Sequence, residues 1–154
     1  MTATTIEHEN TELQKLININ EDACEFYSSA KDSAESPEIE ATFSKLEWLH
    51  KDVVTSLQSK VRQNGETATA DSTLTGNVRK IFGEISAKFS GDTDETLVSH
   101  LEEAEDRCLH SMQDVMEGEK VSSSTKTYLQ TQMSTLKKTH DFMKTLKDQM
   151  KSAA

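Results

Sequence analysis

Four stretches of this 154-residue chain place apolar side chains at the three-to-four-residue spacing of an amphipathic helix, and near the middle of each the apolar stripe is interrupted by a polar residue: Asn20, His50, Glu105 or His140. The periodicity restricts the fold to helices packed stripe against stripe. The interruptions mark the one level at which the interior must be polar, and a buried polar group is costly unless it is hydrogen-bonded, paired or metal-bound.

The first helix is expected over residues 5–34, with Leu13, Leu16, Ile17, Ala23, Cys24, Tyr27 and Ala30 inward. Ser36-Pro37-Glu38 then restarts the chain, with a cap residue, a proline at the first helical position and an acid in the first turn. The reversal near Glu35 makes helices one and two an antiparallel hairpin. The second helix, 37–63, carries Ile39, Phe43, Leu46, Val53, Leu57 and Val61 on one stripe and stops before Asn64-Gly65. Residues 65–92 are too many for a tight turn and are read as a crossover containing a short helix over about 74–89. The third helix is expected over 93–117, with Leu97, Leu101, Ala104, Cys108, Met112 and Val115 inward. The fourth is expected over 122–150, on Leu129, Met133, Leu136, Met143, Leu146 and Met150, with Ser122 to Ser124 as caps. The plan is all-α: a four-helix bundle of two antiparallel hairpins joined by one long crossover, forming a single domain over 1–154.

Composition agrees with helices, since one proline and five glycines accompany many Glu, Lys, Leu, Met and Ala. A net charge of −10 argues against nucleic acid or an anionic membrane as partner, because both need a basic face. Charge is uneven along the chain. Residues 1–50 hold 11 acidic against 3 basic groups and 92–119 hold 10 against 1, whereas 121–154 hold 2 against 6. The basic last helix is expected to lie against acidic neighbours. Cys24 and Cys108 lack any metal-ligand or redox spacing and read as small buried thiols of a cytoplasmic protein. No basic and apolar leader pattern and no membrane-spanning run of apolar residues is visible, so an unexported, soluble chain is expected.

The order and spacing of several short elements resemble those of a family of uncharacterised bacterial four-helix-bundle proteins in the ferritin-like superfamily. They are Asp22-Ala23-Cys24-Glu25-Phe26-Tyr27 with Ala30, Pro37-Glu38-Ile39 leading to Phe43, Leu57-Gln58, Leu74-Thr75-Gly76, Gly91-Asp92, the stretch from Glu102 to Asp106, and His140-Asp141. The resemblance implies the hairpin, crossover, hairpin bundle. That family, a domain of unknown function, has no settled activity to carry over.

Ferritin-like di-iron proteins take one Glu from each of two helices and a Glu-x-x-His from each of the other two. Here Glu47-Trp48-Leu49-His50 is such a tetrad, with His50 central on its stripe and Glu47 at the flank. Glu105 and His140 face inward on the third and fourth helices. The residue three before His140 is Lys137, however, and the inward polar residue of the first helix is Asn20, so a complete di-iron centre is not expected. One transition-metal ion (iron, manganese or zinc) on Glu47, His50, Glu105 and His140 is conceivable. Glu105 and His140 lie at unequal distances from the Gly118 turn, which offsets them by about 10 Å along the bundle unless the loop is asymmetric. The plainer reading is a hydrogen-bonded cluster of Asn20, His50, Glu105 and His140 that fixes helix register.

His8, His100 and His110 fall off the stripes and read as solvated, and the methionines read as core filling. Trp48 points away from His50 and either anchors a partner or packs under the crossover. No hydrolase triad or phosphate loop is present. Two functions follow: a non-catalytic bundle acting by protein binding or self-association, or an altered metal-binding ferritin-like protein. If the imidazoles are buried neutral, acid near pH 6 and below should destabilise the fold.

Overall fold

The computed structural model describes residues 3–66 and 93–153. These form four helices: α1 (Ala3–Ser33), α2 (Pro37–Gln63), α3 (Thr93–Glu117) and α4 (Ser123–Ala153). The crossover and its expected helix over 74–89 lie outside the described residues. The described part is a helical bundle in which α1 packs along α2, α3 along α4, and α1 against α3. The α2/α4 seam is the least closely packed of the four. Among the described residues, no helix is long and apolar enough to cross a membrane.

The helix ends are set by local chemistry. Ser36 has the extended backbone of a cap (φ −88°, ψ 131°) and Pro37 opens α2, but the Ser36 hydroxyl donates to Glu38 Oε2 (2.7 Å) rather than receiving a helix N–H. The turn's own N–H groups go elsewhere. Those of Glu35 and Ser36 donate to Asp94 Oδ1 and Oδ2 (2.8 and 3.0 Å), so the first turn of α3 clamps the α1–α2 reversal. At its other end α2 closes with a paired bond pattern, Gly65 N–H to Arg62 O and Glu66 N–H to Val61 O. Gly65 at φ 88° supplies the left-handed residue that this pattern needs.

A second acid ties the opposite end of the bundle. Buried Glu9 accepts from the Ser122 N–H (2.9 Å) and hydroxyl (3.1 Å) at Oε1, and from Asn64 Nδ2 (2.7 Å) at Oε2. Thus α1 holds both the end of α2 and the α3–α4 link. Ser122 in turn caps α4, its hydroxyl accepting the Thr125 N–H at 3.3 Å. Burial alone would push the Glu9 carboxyl up. The donors from Ser122, Thr125 and Asn64 outweigh that and hold it below the usual carboxylate value.

The apolar interior is divided in two. One cluster runs through Leu13, Leu16, Ile17, Val53, Leu57, Met112, Leu129 and Leu136. The other holds Phe26, Tyr27, Phe43, Leu46, Leu97, Leu101 and Met143. Met112 and Met143 are wholly buried, and Met116, Met133 and Met150 pack against the two clusters from the side. Cys24 and Cys108 are buried free thiols whose sulfurs approach the carbonyls of Glu47 and Ile19 (3.7 Å each). Burial pushes the Cys24 thiol up to about 12 and the Cys108 thiol well above its usual value, so neither offers a thiolate. The basic last helix does meet its acidic neighbour, through Lys147 to Glu102 (3.3 Å) and His140 to Asp106 (3.1 Å).

Candidate functional site

Between the two apolar clusters lies a polar layer, with one or two side chains from every helix. Asn20 and Tyr27 come from the same face of α1, two turns apart. His50 comes from the stripe of α2, Glu105 from that of α3 and Thr139 from that of α4. All five are buried. Asn20 Nδ2 donates to the Leu16 carbonyl (2.8 Å), which turns its Oδ1 toward His50 Nδ1 (2.8 Å). His50 Nε2 meets Glu105 Oε1 at 2.7 Å, and the same oxygen accepts the Tyr27 hydroxyl at 2.6 Å. Thr139 Oγ1 donates to Glu105 Oε2 at 2.7 Å. The Tyr27 ring stacks on His50, with centroids 5.8 Å apart and planes 26° from parallel.

These contacts fix the protons. The Asn20 oxygen is only an acceptor, so His50 Nδ1 carries hydrogen. Nε2 then either donates to an ionised Glu105 or accepts from a protonated one. Burial would push the Glu105 carboxyl up, but the charge of His50 and the hydrogen bonds from His50, Tyr27 and Thr139 outweigh it and lower the carboxyl below its usual value. Glu105 is therefore the anion of the layer, with His50 Nε2 as its close partner. The Tyr27 phenol is driven well above its ordinary value, chiefly by burial and then by the Glu105 charge, so it remains a donor. The layer is a neutral, sealed ion pair in which Glu105 has three protein donors.

Of the residues singled out in the sequence, Asn20, His50 and Glu105 come together. His140 and Glu47 do not join them. His140 sits at the bundle's edge, with Nε2 on Asp106 and Nδ1 on Asp141 (3.1 Å each). Glu47 is paired on the flank with Lys31 (3.1 Å) and Lys51 (3.4 Å). The inward place expected for His140 belongs to its neighbour Thr139. The inward line of α4 runs Leu129, Gln132, Leu136, Thr139, Met143, alternating three- and four-residue steps, and two of its members are polar. The level itself is right, since residues 139 and 140 reach 105 and 106. The 10 Å offset is removed by an asymmetric link, whose Ser122 is drawn onto Glu9.

Two members escaped the sequence reading. Tyr27 falls on the apolar stripe of its helix in the sequence, although a buried phenol needs an acceptor and Asn20 two turns earlier marks its face. Thr139 was hidden by the more conspicuous histidine beside it.

A ferritin-like pair of metal ions requires bridging carboxylates and imidazoles converging on one volume. The donors present do not fit. One carboxylate and one imidazole reach the layer, each already committed to protein partners. Among the described residues no group of three or more His, Cys, Asp or Glu side chains could hold a metal ion.

The fold and this layer define a class: a helical bundle whose core is pinned by a buried, satisfied ion pair. Within that class, the chain belongs to the DUF2383 family, a domain of unknown function, whose model matches residues 8–118. The match takes in α1 from residue 8 onward, α2 and α3, and four of the five members of the polar layer, leaving Thr139 outside it. No curated protein and no solved structure matches the chain.

Proposed function

We propose that this protein is a non-catalytic, ferritin-like bundle that works from its exterior, by binding another protein chain or a further copy of itself. The observation that carries this reading is Trp48, which stands 65% exposed on the outer face of α2 among exposed Ser44, Lys45, Lys51 and Asp52. Tryptophan is the largest apolar side chain and is enriched among residues that dominate binding energy at interfaces. The interior supports the same reading, because every group of the polar layer able to do acid–base chemistry is shut from solvent and bonded to a neighbour.

The test is chemical cross-linking in cells expressing the chain, followed by mass spectrometry, with Trp48→Glu as comparison and circular dichroism to confirm folding. Adducts that are lost in the folded variant support the reading. An identical adduct set in both, or no adduct in either, overturns it.

A further inference from the structure

A groove of about 470 Å³ opens in the α2/α4 seam. Toward the Gly65 end the seam is closed, where the Tyr128 hydroxyl donates to the Ser56 carbonyl (2.6 Å) and Lys60 lies over the Tyr128 ring. Leu46, Leu49 and Phe142 give the groove its apolar lining, and Phe142 is left 51% exposed. Thr139 also lines it, with its hydroxyl already committed to Glu105 Oε2 (2.7 Å). We propose that this groove is a docking site for an acidic amphipathic helix of a partner protein. The proposal rests on the reading that the chain works by binding another protein, and it names that partner's chemistry.

The charge of the lining runs against the charge of the chain. Acidic residues outnumber basic ones by 27 to 17 in the sequence, yet the described lining holds no carboxylate and two ammonium groups, Lys45 on the α2 wall and Lys138 on the α4 wall. Their neighbours are neutralised, Lys51 by Glu47 (3.4 Å) and Lys137 by Asp141 (3.1 Å). Lys45 and Lys138 are in no ion pair among the described residues. The nearest acids along α2, Glu38 and Asp52, stand beyond the two ends of the lining, and Glu38 accepts the Ser36 hydroxyl. One uncompensated ammonium on each wall of an apolar groove suits a ligand whose apolar ridge is flanked on both sides by carboxylates.

The dimensions suit a helix. The lining runs from Thr42 to Leu49 on α2 and from Thr135 to Phe142 on α4. Seven residues on each wall make two turns, about 10 Å. An incoming helix laid along the seam places anchors at i, i+3, i+4 and i+7 over that same length, which is how amphipathic helices enter apolar grooves. An extended peptide would instead need a sheet edge, and among the described residues there is none. Trp48 stands three residues after Lys45, and so beside it on the surface of α2. The groove and the exposed indole therefore form one continuous surface, the lysines giving it a sign that tryptophan alone does not.

The test is fluorescence anisotropy of the full chain with a labelled peptide of about four helical turns, carrying Leu at i, i+3, i+4 and i+7 and Glu on both flanks, and with a counterpart carrying Lys on the flanks. General attraction to a chain of net charge −10 would favour the basic peptide. We expect the acidic peptide to bind about tenfold or more tightly than the basic one, and Lys45→Glu with Lys138→Glu to reverse that order. Lys137→Glu with Lys144→Glu makes the same change in net charge on a face of α4 about 100° from Lys138, and should leave the order as it is in the native chain. All four lysines are exposed, so the variants keep the core, and circular dichroism confirms that they fold. Equal affinities, tighter binding of the basic peptide, an order that survives the groove variant, or no binding of either peptide would overturn the proposal. Cross-linked adducts lost in Trp48→Glu, together with a failed peptide preference, would leave the binding function standing with this partner wrong. The peptide preference without any such adducts would do the reverse.

Discussion

Glu105 is the residue on which the interior turns, because three donors from three other helices end on its two oxygens. Removing one partner of a buried charge pair leaves the other uncompensated, at a cost of about 3–5 kcal/mol. Glu105→Ala should therefore lower the free energy of urea unfolding by about that amount. Tyr27→Phe, which deletes a single donor to a charged acceptor, should cost about 1.5–3 kcal/mol in the native background. In the Glu105→Ala background the same change should be neutral or favourable, since it then removes an orphaned hydroxyl. Additive costs across this cycle would show that the two side chains do not interact. The pH response follows from the same group. Its carboxyl, like that of Glu9, lies below the ordinary value of 4.5 in the fold. A depressed folded value means stability that is present above 4.5 and is lost as pH falls through the folded values. The thermal midpoint should hold its level between pH 7 and about 5, as far as these groups are concerned, and fall below that, with a shallower acid limb in Glu105→Gln. A decline that begins near pH 6 in the native protein and persists in Glu105→Gln would contradict the assignment.

At the scale of the helices, the ends were more legible than the faces. Pro37 and the Asn64-Gly65 stop are local signals, read from adjacent residues, and α2 runs from Pro37 to Gln63 as they require. Gly65 has φ 88° with no atom within 4 Å of where a Cβ would stand, so Gly65→Ala should cost about 1–2 kcal/mol through backbone strain alone. Urea unfolding of that variant would check it, and no loss would mean that the bend relaxes. What a local pattern does not carry is a bond made across the fold. Nothing near Glu9 or Asp94 reveals that one acid will gather the end of α2 and the α3–α4 link while the other gathers the α1–α2 turn. Asp94→Ala strands the N–H groups of Glu35 and Ser36, and should cost about 1–3 kcal/mol, with amide exchange quickest at that turn. The choice between Thr139 and His140 was also beyond the local pattern. On an α-helix adjacent residues differ by about 100°, so a stripe drawn through Met133 rather than Gln132 moves the inward place by one residue.

For the whole molecule, the polar layer divides the apolar interior and so selects one alignment of all four helices. A shift of any helix by one turn would set Glu105 or His50 against leucine, at the cost of an unpaired buried charge. Specifying register in this way uses the same residue types as a metal centre, and for that reason sequence alone leaves the two readings open: a glutamate and a histidine on inward stripes serve either purpose. The arrangement of partners separates them. A ligand set must leave lone pairs aimed at a common empty point, but here the His50 nitrogens face Asn20 and Glu105, and the Glu105 oxygens are occupied by Tyr27, His50 and Thr139. Metal could enter only by displacing these bonds, with Glu47 drawn off Lys31 and Lys51 and His140 off Asp106. Anything that binds the native state alone raises its stability by RT ln(1 + [L]/Kd), about 2.7 kcal/mol at a hundredfold excess over Kd. Added iron(II), manganese(II) or zinc(II) should therefore leave the thermal midpoint of the chelator-treated protein unchanged. A rise that saturates near one equivalent, and that is abolished by His50→Ala, would instead show that the ion pair opens to admit an ion.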